Sequence, residues 1–279
     1  MQRLEGPYRG DGHDRPTTVP LPPARMPLLH AGRLLKRWRY VSIWSRELLM
    51  CVARISVGPF RQEFWAVWDR AEQRLWERTR LLPCCVQLPA RRVLVRDGNV
   101  TMDLNLDEGD GLEVVVPDGR AYTWTRKQIV RAHGSLQLAG DAKEVEAVAL
   151  IDDNAGYHPR HTRWQWSGGS GQDTHGRQVA WSVIVGLNDP PTNSERTVWL
   201  DGVPTEVGPV RFAADLASVD FAEGGRLRFQ EERARERRDN LLLVRSSYRQ
   251  PFGSFAGTLP GGIELSEAYG VMERHEAYW

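Results

Sequence analysis

The chain has 279 residues, 41% of them hydrophobic, enough for one large core or two modest ones. Its 37 basic and 36 acidic side chains leave a net charge of +1, so no bulk field draws it to nucleic acid or to an anionic membrane. It holds no apolar run of about 18 residues and no apolar signal segment near residue 1, so a cytoplasmic protein with no membrane span is expected.

Residues 1–27 are rich in proline, glycine and charge and read as a disordered or loosely draped arm. From residue 28 the pattern turns to strand. Residues 37–44 alternate with period two, which sets Trp38, Tyr40 and Trp44 on one face. Residues 48–57 form a second strand, and 62–68 and 74–79 a hairpin across the polar turn 69–73. Trp65 and Trp68, three apart, must face opposite sides, so at most one lines any cavity. Asp97-Gly98 then joins strand 93–96 to 99–106, and Pro117-Asp118-Gly119 joins 112–116 to 120–125, both with turn residues suited to tight hairpins. Further strands are expected at 144–151, 162–166, 178–185, 195–200, 226–231, 241–248, 257–259 and 262–272, with Asp201-Gly202 closing another hairpin. The highly charged stretch 230–239 reads either as a short exposed helix or as a solvent-facing strand pair.

No βαβ period and no glycine-rich phosphate loop occur, which argues against Rossmann and P-loop enzymes. No Gly-x-Ser-x-Gly elbow occurs, and no cysteine lies near a histidine, so nucleophilic hydrolysis has no support. Cys51, Cys84 and Cys85 are too few and too oddly placed for a disulfide framework and read as small buried hydrophobes. Regularly spaced strands instead predict an all-β fold, either one large β-sandwich or two eight-stranded antiparallel β-barrels, the latter split near residue 140 into 28–140 and 141–279.

Candidate chemistry concentrates at residues 151–171, where Asp152, Asp153, Tyr157, His158, His161, Trp164 and Trp166 crowd together. His158 and His161 have the spacing of a metal-binding pair on a helix, but Gly156 and Pro159 disfavour a helix, so no metal is expected. Asp153 with His158 or His161 suits general acid–base work, and Tyr157 a hydroxyl donor; equally, Asp153-Asn154-Ala155-Gly156 is turn chemistry that only holds a loop. The 11 tryptophans either fill the core or line an aromatic cavity. For a cavity, the ligand-binding candidates are Trp38, Tyr40, Trp164, Trp166, Trp181, Asn188 in Asn188-Asp189-Pro190-Pro191, and Arg249 at a strand end.

Several of these pieces together resemble a bacterial family, domain of unknown function 2804. They are Leu28-Leu29-His30-Ala31-Gly32 leading to Lys36-Arg37-Trp38-Arg39-Tyr40, Phe64-Trp65-Ala66-Val67-Trp68-Asp69, Gly156-Tyr157-His158-Pro159-Arg160-His161-Thr162, Asn188-Asp189-Pro190-Pro191 and Tyr248-Arg249-Gln250-Pro251-Phe252-Gly253. The resemblance covers nearly the whole chain after the arm. More distantly, the tandem meanders, the tryptophan-rich strands and the central Asp/His stretch resemble the two-barrel, lipocalin-like group of carotenoid hydratases and tocopherol cyclases. That resemblance implies two lipocalin-like antiparallel β-barrels or half-barrels packed together, with acid–base residues that protonate alkenes in an apolar cavity. Where that group has Asp-His-x-Trp-Gly, this chain has Asp152-Asp153-Asn154-Ala155-Gly156. The expected function is acid–base isomerisation, hydration or cyclisation of an apolar small molecule, with no cofactor. A non-catalytic carrier of lipid or isoprenoid needs the same cavity, and a purely structural domain would use its tryptophans only as core.

Overall fold

Where apolar side chains alternate with polar ones, and a residue tolerant of positive φ separates two such runs, the chain folds into antiparallel hairpins. The computed structural model describes residues 4–82, 84–241 and 244–278. In chain order the strands are β1 (Tyr8–Gly10), β2 (Leu29–His30), β3 (Arg33–Leu34), β4 (Lys36–Trp44), β5 (Leu48–Val57), β6 (Phe60–Asp69) and β7 (Arg74–Arg80). There follow β8 (Val86–Gln87), β9 (Arg92–Asp97), β10 (Val100–Leu106), β11 (Leu112–Asp118), β12 (Ala121–Leu138) and β13 (Asp141–Gly156). The later strands are β14 (His161–Asp173), β15 (Gln178–Val185), β16 (Thr197–Leu200), β17 (Val203–Glu206), β18 (Val210–Phe212), β19 (Ser218–Phe221), β20 (Arg226–Leu241), β21 (Val244–Leu259) and β22 (Ile263–Tyr278). Among the described residues the one helical piece is the 3-10 turn Pro260–Gly262, and no helix is long and apolar enough to cross a membrane.

Two sheets result. The first runs β7-β6-β5-β4-β13-β12-β10-β9-β8, with β11 pairing the first half of β12 and carrying β1 on its outer edge. The second runs β17-β16-β15-β14-β22-β21-β20-β19-β18. Each curls until its ends approach, β8 against β5 and β6, and β18 against β15, giving two nine-strand half-barrels. The β16–β17 turn shows the local cause: Asp201 and Gly202 both hold positive φ (48° and 81°), the combination that matches the twist of a two-residue hairpin.

Period-two alternation gives each sheet two faces. Val41, Ile43, Met50, Val52, Trp65 and Val67 point into the first barrel, and Trp181, Val183, Val219 and Phe255 into the second. The opposite faces pack against each other through Tyr40, Trp44, Leu49, Trp68, Trp166, Ile184 and Phe252. Trp65 and Trp68 lie on opposite faces, as their spacing requires.

Three expectations need correction. The change of sheet comes at residues 157–160 rather than near 140, because β13 pairs with both β12 and β4. The arm is not loose: Leu4, Val19, Leu21 and Met26 are buried against Tyr122, Trp124 and Tyr157, apolar residues that its prolines and charges masked in the sequence. Arg9 also crosses to the second sheet, where it donates to Ser194 O at 2.5 Å and to Thr197 Oγ1 at 3.0 Å. Of the cysteines only Cys51 is buried; Cys84 is exposed and Cys85 half-buried.

Candidate active site

Between the barrels the packed faces leave a cavity of about 130 Å³. Its first-barrel wall follows from register: Trp38 and Tyr40 on β4 stand opposite Ile55 and Ala53 on β5, which stand opposite Gln62 and Phe64 on β6. Asp152 on β13, opposite Tyr40, completes it. The second-barrel wall is Trp164 and Trp166 on β14, opposite His275 and Glu273 on β22, with Tyr248 on β21 and Arg235 on β20 beyond.

Glu273 is one of two buried glutamates that line the cavity, with Glu195. It is buried in a largely apolar setting, and burial pushes its carboxyl up to about 6, against the lowering effect of two hydrogen bonds. Trp164 Nε1 donates to Oε1 at 2.7 Å, and the Tyr248 hydroxyl donates to Oε2 at 2.9 Å. Gln250 Nε2 donates to the same oxygen at 3.2 Å and to the Tyr40 hydroxyl at 2.8 Å, tying the two barrels together. The Cys51 thiol donates to Gln250 Oε1 at 3.2 Å, which fixes the amide's orientation. Beside this chain His275 is held neutral, pushed down to about 3 by burial and by Arg235. Arg235 itself is buried, 3.9 Å from the Phe64 ring centre.

A second polar group borders the same cavity. Lys127 pairs with Asp152 at 2.8 Å and with Glu195 at 3.5 Å. Burial works against the lysine's charge, but the two carboxylates outweigh it and raise its pKa. Burial also raises Glu195, and Lys127 opposes this. Asn188 donates to Thr125 Oγ1 and accepts from Thr123, so it braces the Glu195 side of this group. Asp152 Oδ1 is buried and has no hydrogen-bond partner among the described residues. The cavity thus offers an aromatic wall, two buried carboxyls, Glu273 and Glu195, whose acid form burial favours, and the ion-paired carboxylate of Asp152 with a free oxygen.

Trp38, Tyr40, Trp164 and Trp166 line this cavity, whereas Trp181 lies inside the second barrel, bonded to Ser167. Arg249 sits at the surface between Glu231 and Glu236. The four residues expected to be catalytic do not converge. Asp153, next to Asp152 on a strand, faces the other side of the sheet and is held by Arg39 and Arg126, each at 2.8 Å. His158 is buried, stacked on Trp38 and bonded to Asn154; burial, with Lys36 and Arg33 nearby, pushes it down to about 3. His161 is exposed, paired with Glu276 and stacked on Tyr278. Tyr157 is buried under the arm and donates to Pro27 O.

Glu273 and Arg235 escaped the sequence reading, and Tyr248 and Gln250 entered it only within the stretch Tyr248-Arg249-Gln250-Pro251-Phe252-Gly253. Their signal is a polar residue at an even step from apolar ones on the same strand: Glu273 from Val271, Gln250 from Tyr248 and Phe252. As for metals, Glu63, Cys84 and Cys85 bring three ligand atoms within 4.8 Å of one another, away from the cavity. The hydrogen bond shared with Cys84 and burial push Cys85 up to about 11.

The family model described as Domain of unknown function (DUF2804) matches residues 86–279. No curated protein matches the chain by sequence. A Nitrosomonas europaea protein provisionally described as AttH has a similar structure, with a TM-score of 0.56 at 12% identity over 92% of this chain and 98% of that one. Kievitone hydratase from Nectria haematococca has a TM-score of 0.52 at 12% identity over 86% and 88%. At such identities the likeness is one of fold: the two-barrel, lipocalin-like architecture.

Proposed function

Because the chain belongs to the family described as Domain of unknown function (DUF2804), a description that specifies no reaction, we propose from the site itself that the protein is an acid–base enzyme. It hydrates, isomerises or cyclises a mostly apolar small molecule between its barrels, in the cytoplasm and without a redox cofactor. The observation that carries this reading is Glu273, a buried carboxyl raised to about 6 and aimed at an aromatic cavity.

In its acid form Glu273 donates a proton to a carbon–carbon double bond. The cation that forms lies among Trp38, Trp164 and Trp166, whose ring faces stabilise positive charge. Water then adds to it and loses a proton, a neighbouring carbon loses a proton to re-form a double bond, or a neighbouring double bond closes a ring and the new cation is quenched in one of those two ways. In each case the proton released returns to the Glu273 carboxylate, so protons balance over the cycle. One structural neighbour is a hydratase, a fold-level analogy that agrees with this chemistry.

The test is exchange with solvent deuterium. Isoprenoid alkenes incubated with the protein in D2O should gain deuterium by mass spectrometry. Glu273→Gln, which keeps the shape of the site, should lower the rate by about 100- to 10,000-fold, the usual worth of a general acid. The wild-type kcat/KM should fall about tenfold per pH unit above roughly pH 6. A protein that retains an apolar ligand without exchanging it is the lipid or isoprenoid carrier instead.

A further inference from the structure

We propose that the open end of the first barrel, which shares the wall residues Trp38, Ile55 and Gln62 with the cavity between the barrels but opens on the other side of them, binds the phosphate or diphosphate group of a small molecule. The alternation that sends Val41, Val52 and Trp65 into that barrel as core sends arginines to the same side once the core ends. Cross-strand register places Arg126, Asp153, Arg39, Arg54 and Glu63 in one row, and Trp124, Ala155, Arg37, Ser56 and Arg61 in the next. These residues line a concavity of about 730 Å³, walled on one side by Pro22, Pro23 and Ala24 of the arm.

Charge there is not balanced. Arg39 and Arg126 share Asp153 and Glu108, and Arg15 takes Glu113. Arg37, Arg54 and Arg61 have no carboxylate within ion-pair distance among the described residues. Arg54 stands between Arg39 on β4 and Glu63 on β6; Glu63 is buried and accepts from the Cys84 and Cys85 amides instead of pairing with Arg54, so the like-charge contact with Arg39 is left without an ion pair on Arg54. Donors are also left over: Trp124 Nε1 and Arg39 Nε are buried with no hydrogen-bond partner among the described residues, and Trp124 lines the concavity while only 5% exposed. Three unmatched guanidiniums suit a group carrying two or three negative charges with several acceptor oxygens, which is phosphate or diphosphate rather than a single carboxylate. The walls at Ile55, Leu88 and the arm prolines suit an organic body on that group. A concave site, rather than an extended basic stripe, favours a small molecule over nucleic acid.

Inorganic pyrophosphate and inorganic phosphate are the probes, titrated calorimetrically into the whole protein at low salt with succinate as the comparison anion. Pyrophosphate should bind more tightly than phosphate and at least tenfold more tightly than succinate, and it should raise the melting temperature. The double variant Arg54→Gln/Arg61→Gln should lose at least tenfold in pyrophosphate affinity. Both residues are exposed and one opposes Arg39, so the variant should melt no lower than wild type without ligand, which separates lost binding from lost folding. Arg228→Gln, exposed on the second barrel, should bind as wild type does. Absence of pyrophosphate binding, equal binding of succinate, or unchanged affinity in the folded double variant would each overturn the proposal. None of these outcomes bears on Glu273, so the two readings fail independently.

Discussion

His158 illustrates what burial does to a single titratable group. Burial holds its folded pKa near 3, below the ordinary 6.5, so the native state refuses a proton that the unfolded chain accepts. Stability is therefore full above pH 6.5 and is lost as pH falls toward 3, by on the order of 1 kcal/mol per pH unit. Urea unfolding at pH 4 to 7 should show that slope in the wild type and a shallower one in His158→Gln; equal slopes would refute it. Glu273 acts in the opposite sense. Its folded value of about 6 lies above 4.5, so the stability it gives is present at low pH and lost as pH rises through that window. At this scale the sequence was half legible. The aromatic wall and the Asp152-Asp153 pair were visible, but choosing between adjacent aspartates requires knowing that Asp152 stands opposite Tyr40, a pairing between residues far apart in sequence. His158 looked catalytic because titratable groups draw the eye, and only burial shows that this one is silent.

Strands were legible wherever both faces obeyed the simple code. The Asp-Gly and Pro-Asp-Gly hairpins of β9 to β12 announce themselves through turn chemistry. The second half of β12, the start of β13 and the C-terminal end of β22 did not, because polar residues such as Lys127 and Glu273 sit where a two-faced strand would show apolar ones. The charged stretch 230–239 proves to be strand, with Arg235 turned inward onto Phe64 rather than into solvent. Glycines on β14 make room for the flat rings beside them: a Cβ on Gly169 would lie 2.3 Å from the Trp181 ring, and one on Gly168 2.5 Å from that of Trp166. Gly169→Ala should cost about 1–3 kcal/mol by overpacking, read as a fall of several degrees in melting temperature. An unchanged melting temperature would show that the Trp181 ring yields freely.

For the molecule as a whole, two barrels packed together were expected from the sequence, but which of their faces meet could not be read from it. The apolar residues of that junction lie on the same strands as those of each barrel's own core, and only register separates the two sets. Phe252 is fully buried at the junction. Phe252→Ala should cost about 3–5 kcal/mol. Because the junction is shared, near-ultraviolet circular dichroism and calorimetry should report one coincident transition in both proteins. Two separated transitions would mean that the barrels stand independently.

Arg9 closes a contact across 185 residues of sequence, from the arm to Ser194 in the second barrel. During synthesis the arm is made long before its partner exists, so that contact cannot guide early folding; it can only form after most of the chain has been produced. Contacts of such separation are costly to close and form late. Arg9 therefore acts as a brake on opening rather than an aid to assembly: Arg9→Ala should speed unfolding while leaving the refolding rate nearly unchanged.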